Sequence, residues 1–266
     1  MPFHQTGSIR YFSFESYTKA GVTNAAITRR GGVSPEPWAS LNVGGTVGDD
    51  ADRVLENRRR TFSAMERPFN SLYDVWQVHG SEVVCTSDPH PAGAPHVKAD
   101  AILTDQSGIT LFMRFADCVP IFLYDPICHV IGLVHAGWLG TVQLVAAHAI
   151  KKMQTSYGSK PKDILAGIGP SIGPDHYQVG SEVVQRVRQT FGSDAEQLLF
   201  SSDESGVKSN VKFDLWNANI LVLRQAGVQI IEASGICTAC NVEDWYSHRA
   251  EKGHTGRFGV IMAMRD

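Results

Sequence analysis

Along the chain, apolar and polar positions follow two rhythms. Short runs of β-branched, aromatic and aliphatic residues occupy 9–14, 22–28, 74–78, 82–85, 101–104, 109–115, 121–124, 130–134, 164–168, 228–232 and 259–263. These predict strands. A period near 3.6, opening on polar or glycine turns, predicts helices over 50–65, 140–157, 181–191 and 214–226. Strands outnumber helices and arrive in runs as well as alternating with helices. The expected architecture is therefore α/β, or α+β-like: mixed, largely antiparallel sheets flanked by helices rather than a regular βαβ repeat. The Pro/Gly stretch 88–96 and the polar stretch 201–205 read as loops and not as interdomain linkers, which makes 1–266 a single domain.

Composition narrows the function classes. A chain of 266 residues with 43% hydrophobic content can fill a substantial core. Its net charge is -3 and its longest basic run is Arg58-Arg59-Arg60, the face of an expected helix, so a nucleic-acid partner is not expected. No stretch has the roughly 18 consecutive apolar residues of a membrane span, and the first residues lack a charged-then-apolar leader. The expectation is a cytoplasmic protein without a membrane partner. Five cysteines, an odd number in a chain of this size, fit a reducing compartment with thiols available as ligands or nucleophiles.

Three segments each deliver one metal-capable side chain at a strand-to-loop boundary: Gln77-Val78-His79-Gly80, Ala116-Asp117-Cys118-Val119-Pro120 and Val134-His135-Ala136-Gly137-Trp138. Singly, His79 reads first as a turn histidine, and Cys118 reads equally as a buried structural thiol. Together His79, Cys118 and His135 predict a three-ligand site with an open fourth position, the pattern of catalytic rather than structural zinc. Asp117 is placed to orient a ligand or hold a backbone amide. The small residues after His135 lead toward a helix start that suits an anion, or merely make a tight connection. A second glycine-rich turn, 167–174, has neither a P-loop ending nor GxGxxG, and is expected to wall a pocket with Ser171 as a hydrogen-bond donor. Near the C-terminus, Trp245 and Tyr246 offer rings for stacking on a planar base, while Arg249 and Arg257 offer charge to phosphate or to carboxylates. Cys237-Thr238-Ala239-Cys240 has zinc-ribbon or redox-pair spacing, with no second such pair to accompany it.

These motifs, with Gly169-Pro170-Ser171-Ile172-Gly173-Pro174, Thr255-Gly256-Arg257, Ser40-Leu41-Asn42-Val43-Gly44 and Glu56-Asn57-Arg58-Arg59-Arg60, make the chain similar to the YfiH-type family from about Thr28 to Arg265. That family's members have been called both laccase-type polyphenol oxidases and purine nucleoside phosphorylases. The resemblance implies a single α/β domain with zinc on His79, Cys118 and His135. It also implies phosphorolysis of purine nucleosides (adenosine, inosine, methylthioadenosine) by phosphate, with accompanying deamination of adenosine. Deamination needs a nucleophilic water, and an open zinc site lowers the pKa of bound water to about 7. Phosphate calls for arginines, with Arg58, Arg59 or Arg249 as candidates. Asn42, Arg58, Gln77, Ser171 and Arg249 are thus the candidate substrate contacts. The chain departs from the family pattern at Leu139, where an arginine is usual, at Phe115, where threonine is usual, and at Asp175-His176, where paired cysteines are frequent.

Three other readings compete. A His/His/Cys trio also describes a copper centre, although the ten histidines contain no His-x-His pair. Cys118 with His135 forms a potential nucleophile and base of a cysteine hydrolase. A metal-dependent binding factor without turnover is the third.

Overall fold

A computed structural model describes residues 3–201 and 211–265. Residues 202–205 of the polar loop expected over 201–205 lie outside the described residues. One six-stranded sheet has the order Phe3–Thr6, Ile9–Phe12, Val22–Ile27, Phe258–Met264, Thr110–Phe115, Leu72–Tyr73. A second has the order Ile230–Ala233, Leu165–Ile168, Val119–Asp125, Val130–Ala136, Ala101–Thr104, Val83–Cys85. Within them only the pairs Leu72–Tyr73 with Thr110–Phe115, Leu165–Ile168 with Ile230–Ala233, and Val83–Cys85 with Ala101–Thr104 are parallel. The sheets are mixed and largely antiparallel, as expected, and a small ribbon of Leu199–Ser201 with Val211–Phe213 completes the strands.

Strand alternation explains the layering. Phe122 and Tyr124 face one core while Ile121 and Leu123 face another; Leu111, Met113 and Phe115 face the shared core while Phe112 faces away. The shared core, with Phe12, Val260, Ile131 and Leu133, lies between the two sheets. Helices Val145–Tyr157, Ser181–Phe191 and Leu215–Gln225 cover the outer face of the second sheet, and Ala51–Ala64 covers the first through Phe62. Both faces of each sheet are buried, which is why the central strands read as continuous apolar runs.

Helix Ala51–Ala64 starts where the sequence predicts, because the Asp50 side chain accepts from the amides of Asp52 and Arg53. The expected helix over 140–157 is instead two, Trp138–Val142 and Val145–Tyr157, broken at Leu144 with φ 60°. No helix among the described residues is long and apolar enough to cross a membrane.

Candidate metal centre and its cavity

The site forms where the chain passes between the sheets. Segment 74–82 leaves the edge strand Leu72–Tyr73 of the first sheet and enters the edge strand Val83–Cys85 of the second. Residues 116–118 make a second crossing, from Thr110–Phe115 to Val119–Asp125. The strand expected over 74–78 does not form, beyond one bridge from Trp76 to Lys98. Side chains replace its rungs. The Gln77 amide donates to the Arg114 carbonyl at 2.8 Å and accepts from the Arg114 amide at 3.0 Å, while the Arg114 guanidinium binds the Asp74 carboxylate and the Val75 carbonyl. The backbone is thereby free to swing toward the second sheet, carrying His79.

Asp100 receives it. This fully buried carboxylate accepts from the amides of Val78 (3.2 Å), His79 (3.0 Å) and Gly80 (2.7 Å), and from His135 Nδ1 at 2.8 Å. Since a carboxylate only accepts, His135 donates from Nδ1 and turns Nε2 toward the other donors. His135 pairs with Pro120 in the central hairpin, and its ring lies 5.3 Å from Phe115 beneath and 4.8 Å from His79. Cys118 follows Asp117, whose backbone is left-handed (φ 81°) and whose carboxylate accepts from Thr238 Oγ1 and the Arg249 amide, both at 2.7 Å. The ligand atoms of His79, Cys118 and His135 all lie within 4.8 Å of one another.

The charges are mutually supportive. Burial pushes the Cys118 thiol up, but His135 and His79 more than reverse this and bring it down to about 6. Burial opposes charge on His135, yet Cys118 and Asp100 lift it to about 9. Burial likewise raises Asp100, and its bonds from His135, Gly80 and Val78 outweigh that and leave it below its usual value. A low thiol pKa and a carboxylate-oriented imidazole are what a cation needs from its ligands. At Gly137 a Cβ would sit 3.0 Å from Cys118 Sγ and 3.1 Å from His79 Cδ2, so glycine keeps the space beside the donors open. Two imidazoles and a thiolate converging beside an open space fit a tetrahedral zinc with one free position.

The donors open into a cavity of about 740 Å³, within the range that takes a small organic ligand. Arg58, Arg249 and Arg257 line it, as do the rings of Trp76, Trp138 and Tyr177. Arg58 uses Nε on the Val43 carbonyl at 3.0 Å, and burial with the Arg114 charge lowers its pKa to about 10. Arg249 lies over Tyr177 at 5.0 Å and spends Nη1 on the Gln178 carbonyl. Arg257 is held through Nη1 by the Thr255 and Gly256 carbonyls.

The other candidates fall elsewhere. Gln77 lines the cavity but its amide is committed to Arg114. Asn42 is fully buried, bonding Gly44, Asp49 and Arg257, so it shapes the loop behind Arg257. Ser171 is fully buried and accepts from Trp216 Nε1 at 2.7 Å; its neighbour Ile172 lines the cavity. Arg59 borders a different surface hollow. Trp245 and Tyr246 are fully buried and give no stacking surface. Leu139 packs against the helix-side core, and the helix it belongs to has five residues, so the expected anion-binding helix start is not built here. Asp100, Asp74 and Arg114 escaped sequence reasoning. The only signal for Asp100 is a carboxylate set directly before an apolar strand.

A family profile described as multi-copper polyphenol oxidoreductase laccase matches residues 23–265. The chain is 37% identical over 255 residues to the purine nucleoside phosphorylase YlmD of Geobacillus stearothermophilus, covering 93% of this chain and 92% of that one. Among solved structures, the hypothetical protein YfiH of Bacillus licheniformis superposes with a TM-score of 0.91 at 30% identity, covering 99% of both chains. YlmD from Geobacillus stearothermophilus superposes with a TM-score of 0.90 at 34% identity, again over 99% of both.

Proposed function

Because the chain belongs to the YfiH/YlmD family, and because Arg58, Arg249, Arg257 and a His/His/Cys centre face one cavity, we propose a zinc-dependent purine nucleoside phosphorylase. Its substrates are adenosine, inosine and methylthioadenosine with phosphate, and it also deaminates adenosine. The observation that carries this reading is the shared cavity: metal donors at its floor and the guanidinium groups of Arg58, Arg249 and Arg257 around it. The name borne by the Geobacillus relative supports the same chemistry.

In phosphorolysis the bond from the anomeric carbon to the purine nitrogen breaks, its electron pair leaves with the base, and a phosphate oxygen bonds the carbon. Guanidinium groups hold the phosphate dianion against that carbon as positive charge develops there. Trp76, Trp138 and Tyr177 give the base apolar faces. His79, Cys118 and His135 would hold the zinc, which supplies Lewis-acid activation of water when bound. Asp100 holds the His135 tautomer, and Asp117, already bonded to Thr238 and the Arg249 amide, fixes the position of the Arg249 backbone. We take 1–266 to act as one domain in the cytoplasm, a setting supported by five unpaired cysteines.

Purified protein incubated with each nucleoside, with and without phosphate, tests this. The expected result is free base and pentose 1-phosphate only when phosphate is present, lost on chelation and restored by zinc. Turnover of nucleosides that ignored phosphate and chelator alike would sink the proposal.

Two observations favour other chemistry. The family description favours copper oxidation; against it, each described His/Cys/Asp/Glu cluster holds at most two histidines, too few for a multicopper centre. Stoichiometric copper with an intense visible band would nevertheless establish it. The order Cys118, His135, Asp100 is also that of nucleophile, base and orienting acid in a cysteine hydrolase. Activity abolished by thiol alkylation but indifferent to chelation would favour that assignment.

A further inference from the structure

Cys237 and Cys240, joined by a two-residue turn, meet the short helical turn Pro174–His176 of the glycine-rich loop. Cys237 Sγ lies 3.8 Å from His176 Nδ1 and Cys240 Sγ 3.5 Å from the same nitrogen, and the three donor atoms are all within 4.8 Å of one another. With zinc bonds of about 2.3 Å to sulfur and about 2.0–2.1 Å to nitrogen, tetrahedral angles put sulfur and nitrogen roughly 3.6 Å apart. Both separations match without rearrangement.

The surroundings are set for this. Cys237 is 9% exposed, and its sulfur accepts from the Gly173 amide at 3.1 Å. A Cβ at Gly173 would meet Cys237 Cβ and Sγ at 3.1 Å, so a larger residue there would crowd the cysteine. Asn241 closes the cysteine turn, donating from Nδ2 to the Cys237 carbonyl at 2.8 Å. His176 and Cys240 are exposed, which gives a cation an entry path.

We infer that His176, Cys237 and Cys240 form a second metal site, separate from the cavity centre, that takes a thiophilic divalent cation of the zinc class. Two sulfur donors and an imidazole select such a cation over magnesium or calcium. Binding displaces the thiol protons and ties two segments together. One segment carries Ile172 and Tyr177 in the cavity wall; the other carries Thr238, which donates to Asp117 beside Cys118. The site is a tether for that wall.

The test is metal content after zinc loading under reductant and desalting. Wild-type protein should retain one equivalent more than Cys240→Ser and His176→Ala, and this difference holds whatever the cavity centre retains. With cobalt, Cys118→Ala should keep a thiolate-to-metal charge-transfer band, and Cys118→Ala/Cys240→Ser should lose it. Cys240 is exposed, so its serine variant preserves the core. Equal metal in wild type, Cys240→Ser and His176→Ala would overturn the site, as would thiol titration showing Cys237 and Cys240 joined in a disulfide in freshly isolated protein.

Discussion

Two clusters in this molecule carry the same kinds of donor, each with one exposed histidine and one buried donor, and differ in what lies beside them. His79, Cys118 and His135 meet at the floor of a cavity, where His135 is 3% exposed and Asp100 orients its imidazole. His176, Cys237 and Cys240 meet at the surface, with an exposed imidazole and a backbone amide as the contact that steadies a thiol. Donor type fixes which cation is attracted, whereas concavity and the carboxylate behind the ligand decide whether a substrate can reach it in a fixed orientation. The cavity cluster therefore reads as a reactive centre and the surface cluster as a tether.

The sharpest way to break that contrast is to remove one thiol from each. Cys118→Ala should lower phosphorolysis roughly a thousandfold, the several kcal/mol of charge stabilisation a metal supplies. Cys240→Ser should leave kcat near wild type and act, if at all, on KM through the wall carrying Tyr177. Equal losses in steady-state assays would abolish the distinction. Next in size is Asp100→Asn. Four donors converge on this carboxylate, so an amide must turn its own NH₂ toward at least one of them. A fall of about 10–100-fold in metal affinity or activity is expected, measured by competition with a chelator. Smaller again is Arg58→Ala, expected to raise the KM for phosphate about tenfold, one charged hydrogen bond's contribution. Arg59→Ala, on the neighbouring residue, should change nothing in the same assay because its side chain borders another hollow.

The contrast between clusters also marks what a sequence discloses. The central strands were legible because both faces of each sheet are buried, so 101–104 and 121–124 needed only a run of apolar residues. The three donors were legible because each sits beside an apolar run and a tight turn, although in the structure only His135 lies in a strand, Cys118 directly precedes one and His79 follows none. The strand expected over 74–78 failed for a reason that periodicity cannot express: the Gln77 and Arg114 side chains make the bonds that a backbone ladder would make. Asp100 was invisible because its role depends on a loop from another part of the chain folding around it. Trp245 and Tyr246 looked suited to stacking on a base, but aromatic residues beside basic ones serve equally as core, and here they are core. His176 joins Cys237 and Cys240 only through three-dimensional proximity, so the cysteine pair alone gave too little to assign.

The smallest effect concerns protons, and it separates the two clusters by sign. In metal-free protein Cys118 lies at about 6, below its ordinary value of 9.0, because the pull of His135 and His79 overcomes burial. Cys240 moves the other way, raised by what burial it has and by Cys237 and Asp175. Alkylation followed by peptide mass spectrometry should therefore modify Cys118 with a midpoint near pH 6, while Cys240 waits for alkaline pH. The same pair sets a stability window. Cys118, depressed on folding, contributes stability that is complete above its unfolded value and lost as pH falls through about 6. His135, raised from 6.5 to about 9, contributes stability that is complete below 6.5 and lost as pH rises through about 9. The thiolate–imidazolium pair thus supports the metal-free fold most between those two limits. Thermal unfolding in the presence of chelator should show a broad maximum between them that flattens in Cys118→Ser and persists in Cys240→Ser. A maximum that survived in Cys118→Ser would mean that the charges facing each other across the cavity floor do not govern it.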